Sequence, residues 1–144
     1  MIEASGPSYK FFVPGVPAPG GSKRHIGGGR MIDACKRNAP WRAMVALAAM
    51  EAGCKPMDGP LLLSIGFNMP RPKGHYRKDG TLKPNAPHFP TVKPDTTKLV
   101  RALEDALKGI AWTDDAQVVT QIARKNYALH GPAGAWVQID REHW

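Results

Sequence analysis

The stretch "DTTKLVRALEDALKGI", Asp95 to Ile110, constrains the fold more than any other part of the chain. Leu99, Ala102, Leu103, Ala106, Leu107 and Ile110 recur at helical spacing, which at about 100° per residue gathers them on one face. Lys98, Arg101, Asp105 and Lys108 fall on the opposite face. Such a helix needs an apolar layer to pack on. Asp95 suits its N-cap, where a short oxygen acceptor serves the free backbone donors, and Gly109 suits its stop.

The remaining pattern supplies that layer. "YKFFV", Tyr9 to Val13, reads as a strand closed by Pro14 and Gly15. Between Gly59 and Pro70, "LLLSIGFNM" alternates Leu61, Leu63, Ile65 and Phe67 on one face. "AQVVTQIARKNYAL" and "AWVQID" flank the turn "HGPAG" and read as a closing hairpin. A second helix is expected from near Pro40 through "WRAMVALAAMEAG" until Gly53 and Pro56 end it. Trp41 and Trp112 belong in the core, while Trp144 at the terminus carries no reading. With 144 residues, the chain fits one α+β domain spanning its whole length, a mixed sheet packed against helices.

Two segments, about 14–39 and 70–93, break this pattern with Gly, Pro and basic residues. They read as mobile basic loops, the first with a short ordered piece around Met31 and Ile32. Twenty Lys and Arg against twelve Asp and Glu give a net charge of +8 and a pI near 9.8. That balance attracts polyanions, and nucleic acid comes first among them. Lys23, Arg24 and Arg30 in the first loop, with Arg71, Lys73 and Arg77 in the second, are the expected contacts to DNA phosphate.

Several classes drop out. Cys35 and Cys54 have no metal-ligand spacing and read as reduced thiols of a cytosolic protein. The start lacks a signal-peptide pattern, and no apolar run approaches the ~18 residues that span a bilayer. His25, His75, His88, His130 and His143 are too scattered for a zinc site. "GGSKRHIGGGR" lacks the strand-to-helix frame of a phosphate loop, so no nucleotide cofactor is expected.

The acids are harder to dismiss. Asp114 and Asp115 are adjacent carboxylates just after the Asp95 helix. Packed beside Asp95, they would offer hard oxygens to Mg²⁺, with Mn²⁺ as a substitute. Mg²⁺ takes one or two carboxylates together with waters and substrate phosphate. On a basic surface, that chemistry suits phosphodiester hydrolysis.

The run "KPDTTKLVRALEDALKGIAWTDDAQVV" resembles the RusA-type Holliday junction resolvases, many of them phage or prophage encoded. Their signature is a helix start Asp-x-Asp-[Asn/Lys]-Leu, an Ala- and Leu-rich helix, an aromatic, and Asp-Asp-[Ala/Ser]-Gln-Val. "VPGVPAPGGSKRH" and "MPRPKGHY" resemble the family's basic loops more weakly. The resemblance implies a homodimeric, Mg²⁺-dependent endonuclease that nicks four-way DNA junctions in pairs, in the cytoplasm of a bacterial host if phage encoded. It places catalytic roles at Asp95 and Asp115, and a basic one at Arg101, where the family has Lys. Lys98 stands beside them near the scissile phosphate. Thr97 occupies the position of the family's second aspartate, so Thr97 through a bound water, or Asp114, is expected to complete the metal site.

Two alternatives stand beside this reading. One is a DNA-junction-binding protein on the same fold without hydrolytic activity. The other is a restriction-type nuclease, on Pro94-Asp95 followed by Asp115-Ala116-Gln117, with Gln117 where that pattern has lysine.

Overall fold

The computed structural model describes residues 8–20, 23–27, 30–33, 36–129 and 131–143. The alternation between Gly59 and Pro70 becomes β4 (Leu61–Met69), whose odd-numbered residues are all buried. β6 (Gly134–Arg141) buries Ala135, Val137 and Ile139, and β1 (Tyr9–Pro14) buries Phe11 and Val13. Register aligns these positions: Leu63 faces Ile139, Ile65 faces Val137, and Phe11 in turn pairs with Val137. They make one apolar sheet face, because successive side chains alternate across a strand.

Two helices cover that face. α1 (Asn38–Glu51) contributes Trp41, Val45, Ala48 and Ala49 to the core. α2 (Thr96–Leu107) contributes Leu99, Val100, Ala102, Leu103 and Leu107. Each fully buried leucine contributes about 1.5–3 kcal/mol over an exposed one. Trp41 and Trp112 are both core residues, as the sequence suggested. Asn38, also buried, donates to the Pro19 carbonyl at 2.7 Å and ties α1 to the segment after β1. No helix among the described residues is long and apolar enough to cross a membrane.

The sheet order is β1-β6-β4-β5, where β5 is Val118–Tyr127. Here the expected closing hairpin is corrected. β5 pairs parallel to β4, and β6 inserts antiparallel between β1 and β4, so the two are not partners. The residue patterns explain the choice. β6 alternates cleanly and suits the sheet interior, whereas Thr120, Gln121, Arg124 and Lys125 suit an exposed edge strand.

The described parts of both basic segments carry hydrogen-bonded structure. Within the first, β2 (Lys23–Gly27) and β3 (Arg30–Asp33) form an antiparallel pair, and β3 contains the ordered piece expected at Met31 and Ile32. Pro17, Ala18 and Gly20 are buried, and the Gly20 amide donates to the Lys98 carbonyl at 2.9 Å. The second segment holds a 3-10 turn at Lys73–His75. It is closed by the Arg77 amide on the Thr81 carbonyl at 2.7 Å and the Lys83 amide on the His75 carbonyl at 2.8 Å.

Candidate active site

β4, α2 and parallel β5 form a strand-helix-strand unit, so α2 runs back against the direction of β5. Two contacts fix the alignment. Lys125 Nζ, near the end of β5, donates to the Pro94 carbonyl at 2.9 Å and to the Val92 carbonyl at 2.8 Å. Gln121, earlier on β5, donates to Glu104 Oε2 at 2.9 Å. The groove between α2 and this edge strand opens to solvent over a hollow of about 260 Å³, lined by Thr96, Thr97, Arg101, Glu104 and Gln121 among others.

Asp95 is the N-cap residue of α2, as its place in the sequence suggested, but its side chain makes no capping hydrogen bond. Its carboxylate is exposed and uncommitted to the helix. Thr97, Lys98 and Arg101 are also exposed along the first turns.

Past the other end of α2, the Gly109 amide donates to the Trp112 carbonyl at 2.6 Å, and Gly109 adopts φ of +87°, a left-handed backbone that glycine tolerates. Trp112 is thereby buried with its indole N–H directed at Asp115 Oδ1, 2.8 Å away. This bond orients one carboxylate oxygen and leaves the other free of the turn. Asp114 accepts from the Ala116 amide at 2.9 Å, so its carboxylate caps the 3-10 turn Asp115–Gln117. Gln117 holds the whole turn. Its Oε1 accepts from Thr113 and from the Asp114 amide, and its Nε2 donates to the Met57 and Gly59 carbonyls. At the position where the restriction-type pattern has a catalytic lysine, this side chain serves the loop.

Asp95 and Asp115 therefore flank α2 at its two ends, and a helix of twelve residues is about 18 Å long. Among the described residues no three His, Cys, Asp or Glu side chains gather as a metal cluster. The donors do suit a hard cation by type: carboxylates at Asp95 and Asp115 and a hydroxyl at Thr97. A single chain presents them in separate places.

Glu104 escaped the sequence reading. It lies seven residues, about two turns, after Thr97 and so on the same stripe of the helix. Partial burial pushes its carboxyl pKa upward, the Gln121 bond opposes this, and the negative charges of Asp115 and Asp105 add to the rise, with Arg101 pulling the other way. Asp105 is exposed.

The predicted DNA contacts divide. Arg71 Nη1 donates to the Pro87 carbonyl at 2.7 Å, and its guanidinium stands 4.8 Å from the centre of the Tyr127 ring, so it braces the second basic segment. Lys73 and Arg77 are exposed on that segment. The side chains of Lys23, Arg24 and Arg30 lie outside the described residues, as does Cys35. Burial pushes the Cys54 thiol up to about 11, leaving it protonated at neutral pH and a poor nucleophile.

Fold and site together define a class: a basic α+β domain whose acids are ranged along one helix and the turn that follows it. The particular family follows from the sequence as a whole. A model of the endodeoxyribonuclease RusA family matches residues 14–140, and the chain belongs to that family of DNA-cutting hydrolases. No curated protein sequence matches it.

Proposed function

We propose that the protein is a divalent-metal-dependent endonuclease that resolves four-way DNA junctions by paired phosphodiester hydrolysis in recombination and repair. The observation that carries the reading is the family match over 14–140, in a chain that retains Asp95 and Asp115 with carboxylate oxygens uncommitted to the helix or the turn. Asp95 and Asp115 would hold Mg²⁺, with Thr97 beside Asp95. When bound, the ion supplies charge stabilisation at the phosphate and a water of lowered pKa.

The chain's own groups do the rest. Trp112 fixes the rotamer of Asp115, and Gln117 fixes the turn that carries it. Lys98 and Arg101, exposed on α2, draw the scissile phosphate toward the acids. Lys73 and Arg77 on one segment, and Lys23, Arg24 and Arg30 on the other, hold the strands without reading sequence. Arg71 serves by bracing the loop that presents two of them.

The active form is a homodimer. One chain keeps Asp95 and Asp115 at opposite ends of α2, so a second copy is needed to bring an Asp95 end against an Asp115 end, and a two-fold enzyme also matches a substrate cut twice. Mixing inactive Asp95→Asn with inactive Asp115→Asn is expected to restore part of the cleavage. Mixtures that stay inactive while both variants still dimerise contradict the shared site.

The function itself is tested by incubating the protein with a synthetic four-way junction over a range of Mg²⁺ and Mn²⁺. Metal-dependent nicks support it; tight binding with no cutting at any concentration selects the non-catalytic reading.

A further inference from the structure

Beside the start of α2 lies a cavity of about 550 Å³ between the segment after β1, the Pro70–Pro72 bend and the residues leading into Pro94. Its walls are apolar, with Val16, Pro17, Met69 and Tyr127 among them, and its lining includes four cations: Lys36, Arg37, Lys93 and Lys125. Neither the metal site nor the phosphate contacts above use this space.

We propose that the cavity receives one unpaired nucleotide of the bound DNA, base inward and flanking phosphates on the cationic rim. The inference rests on the proposed action at branched DNA and extends it. The chemistry recommends this occupant over a lipid or a peptide. A nucleobase has apolar faces, and its neighbouring phosphates carry negative charge, so an apolar slot edged by lysine and arginine complements both. Lys125 is already oriented toward such a ligand, because two carbonyls occupy two of the three ammonium protons and leave one for a phosphate oxygen. Lys93 and Pro94 immediately precede Asp95, so a nucleotide held here is a close neighbour of the phosphate presented to that carboxylate.

The consequence is selectivity for structure. A base inside a duplex must unstack and unpair to enter, whereas a base at a strand crossing has lost part of that restraint. The cavity thereby favours branched DNA over linear duplex without any sequence-specific contact.

The test places 2-aminopurine, whose emission is quenched by base stacking, at the branch point of a four-way junction. Binding is followed in parallel through the anisotropy of a dye on one arm, without divalent metal so that nothing is cut. At saturation, wild-type protein is expected to raise 2-aminopurine emission severalfold. Val92→Trp plugs the cavity from a rim position that is 63 % exposed, and at equal occupancy it is expected to lose that rise. Lys36→Glu, another exposed rim residue, is expected to diminish it and provides a second arm should the first variant misfold. Junction binding with no emission rise in wild type overturns the cavity assignment and leaves the proposed function standing. A rise unchanged in both variants also overturns it, and absence of junction binding overturns both.

Discussion

A carboxylate at a helix start ordinarily serves the helix's own free N–H groups, and replacing such a cap by alanine costs about 0.5–2 kcal/mol. Asp95 makes no capping bond, so Asp95→Ala is expected to shift stability by less than ~0.5 kcal/mol in urea unfolding while abolishing cleavage. A loss typical of a cap would show that the residue is structural. Glu104 gives the complementary case. Its pKa is raised in the folded state, chiefly by burial, so its ionisation costs stability: the protonated group's benefit is full below the unfolded pKa and is lost as pH rises through the folded one. Glu104→Gln, which stays neutral, is therefore expected to gain in Tm relative to wild type as pH climbs through the carboxylate range and to hold that gain at neutral pH. A difference independent of pH would contradict the shift. The sequence offered Asp95 and Asp115 as candidates because cap positions and adjacent acids are local features, and the departure at Thr97 came only from the family resemblance. The cap that Asp114 makes on the Ala116 amide is local too, two residues away, whereas the placement of Glu104 opposite Gln121 depends on a strand seventeen residues away, which no local pattern carries.

The elements divide the same way. α2 was legible because an amphipathic stripe specifies both a helix and its buried side, and β4 because strict alternation does the same for a strand. The partners of β5 and β6 were not. Short polar connections usually join paired strands, and only the sheet's long-range register reveals β6 seated between β1 and β4. Gly134 shows what that seating demands, since a Cβ there would collide with the Val13 carbonyl and the Phe12 ring. Gly134→Ala is expected to separate β1 from β6 and lower Tm by several degrees, and a thermal melt that is unchanged would contradict this register. The hydrogen bonds within the basic segments were not legible, because composition reports burial capacity and not hydrogen bonding. Arg71 and the Thr81 and His75 carbonyls organise the second without a large apolar core.

At the scale of the molecule, the net charge of +8 and the acids along α2 play opposite parts. In the proposed function the basic surface lowers the cost of approaching phosphate, and the acids would give that approach a chemical outcome by holding a cation where DNA arrives. The open face of the sheet adds a feature outside both: Trp136 is 50 % exposed there, packed against Phe12 with ring centres 5.2 Å apart and under the Lys10 ammonium. Charge and family resemblance made a nucleic-acid enzyme legible from sequence, while the separation of Asp95 from Asp115 emerges only from the strand-helix-strand unit. The most direct test of the whole account is to map cleavage of a four-way junction labelled on each strand in turn, with Mg²⁺, for wild type and Asp115→Asn. The account predicts metal-dependent nicks at symmetric positions in two opposing strands for wild type and none for the variant; uncut junctions with wild type, or equal cutting by the variant, would contradict it.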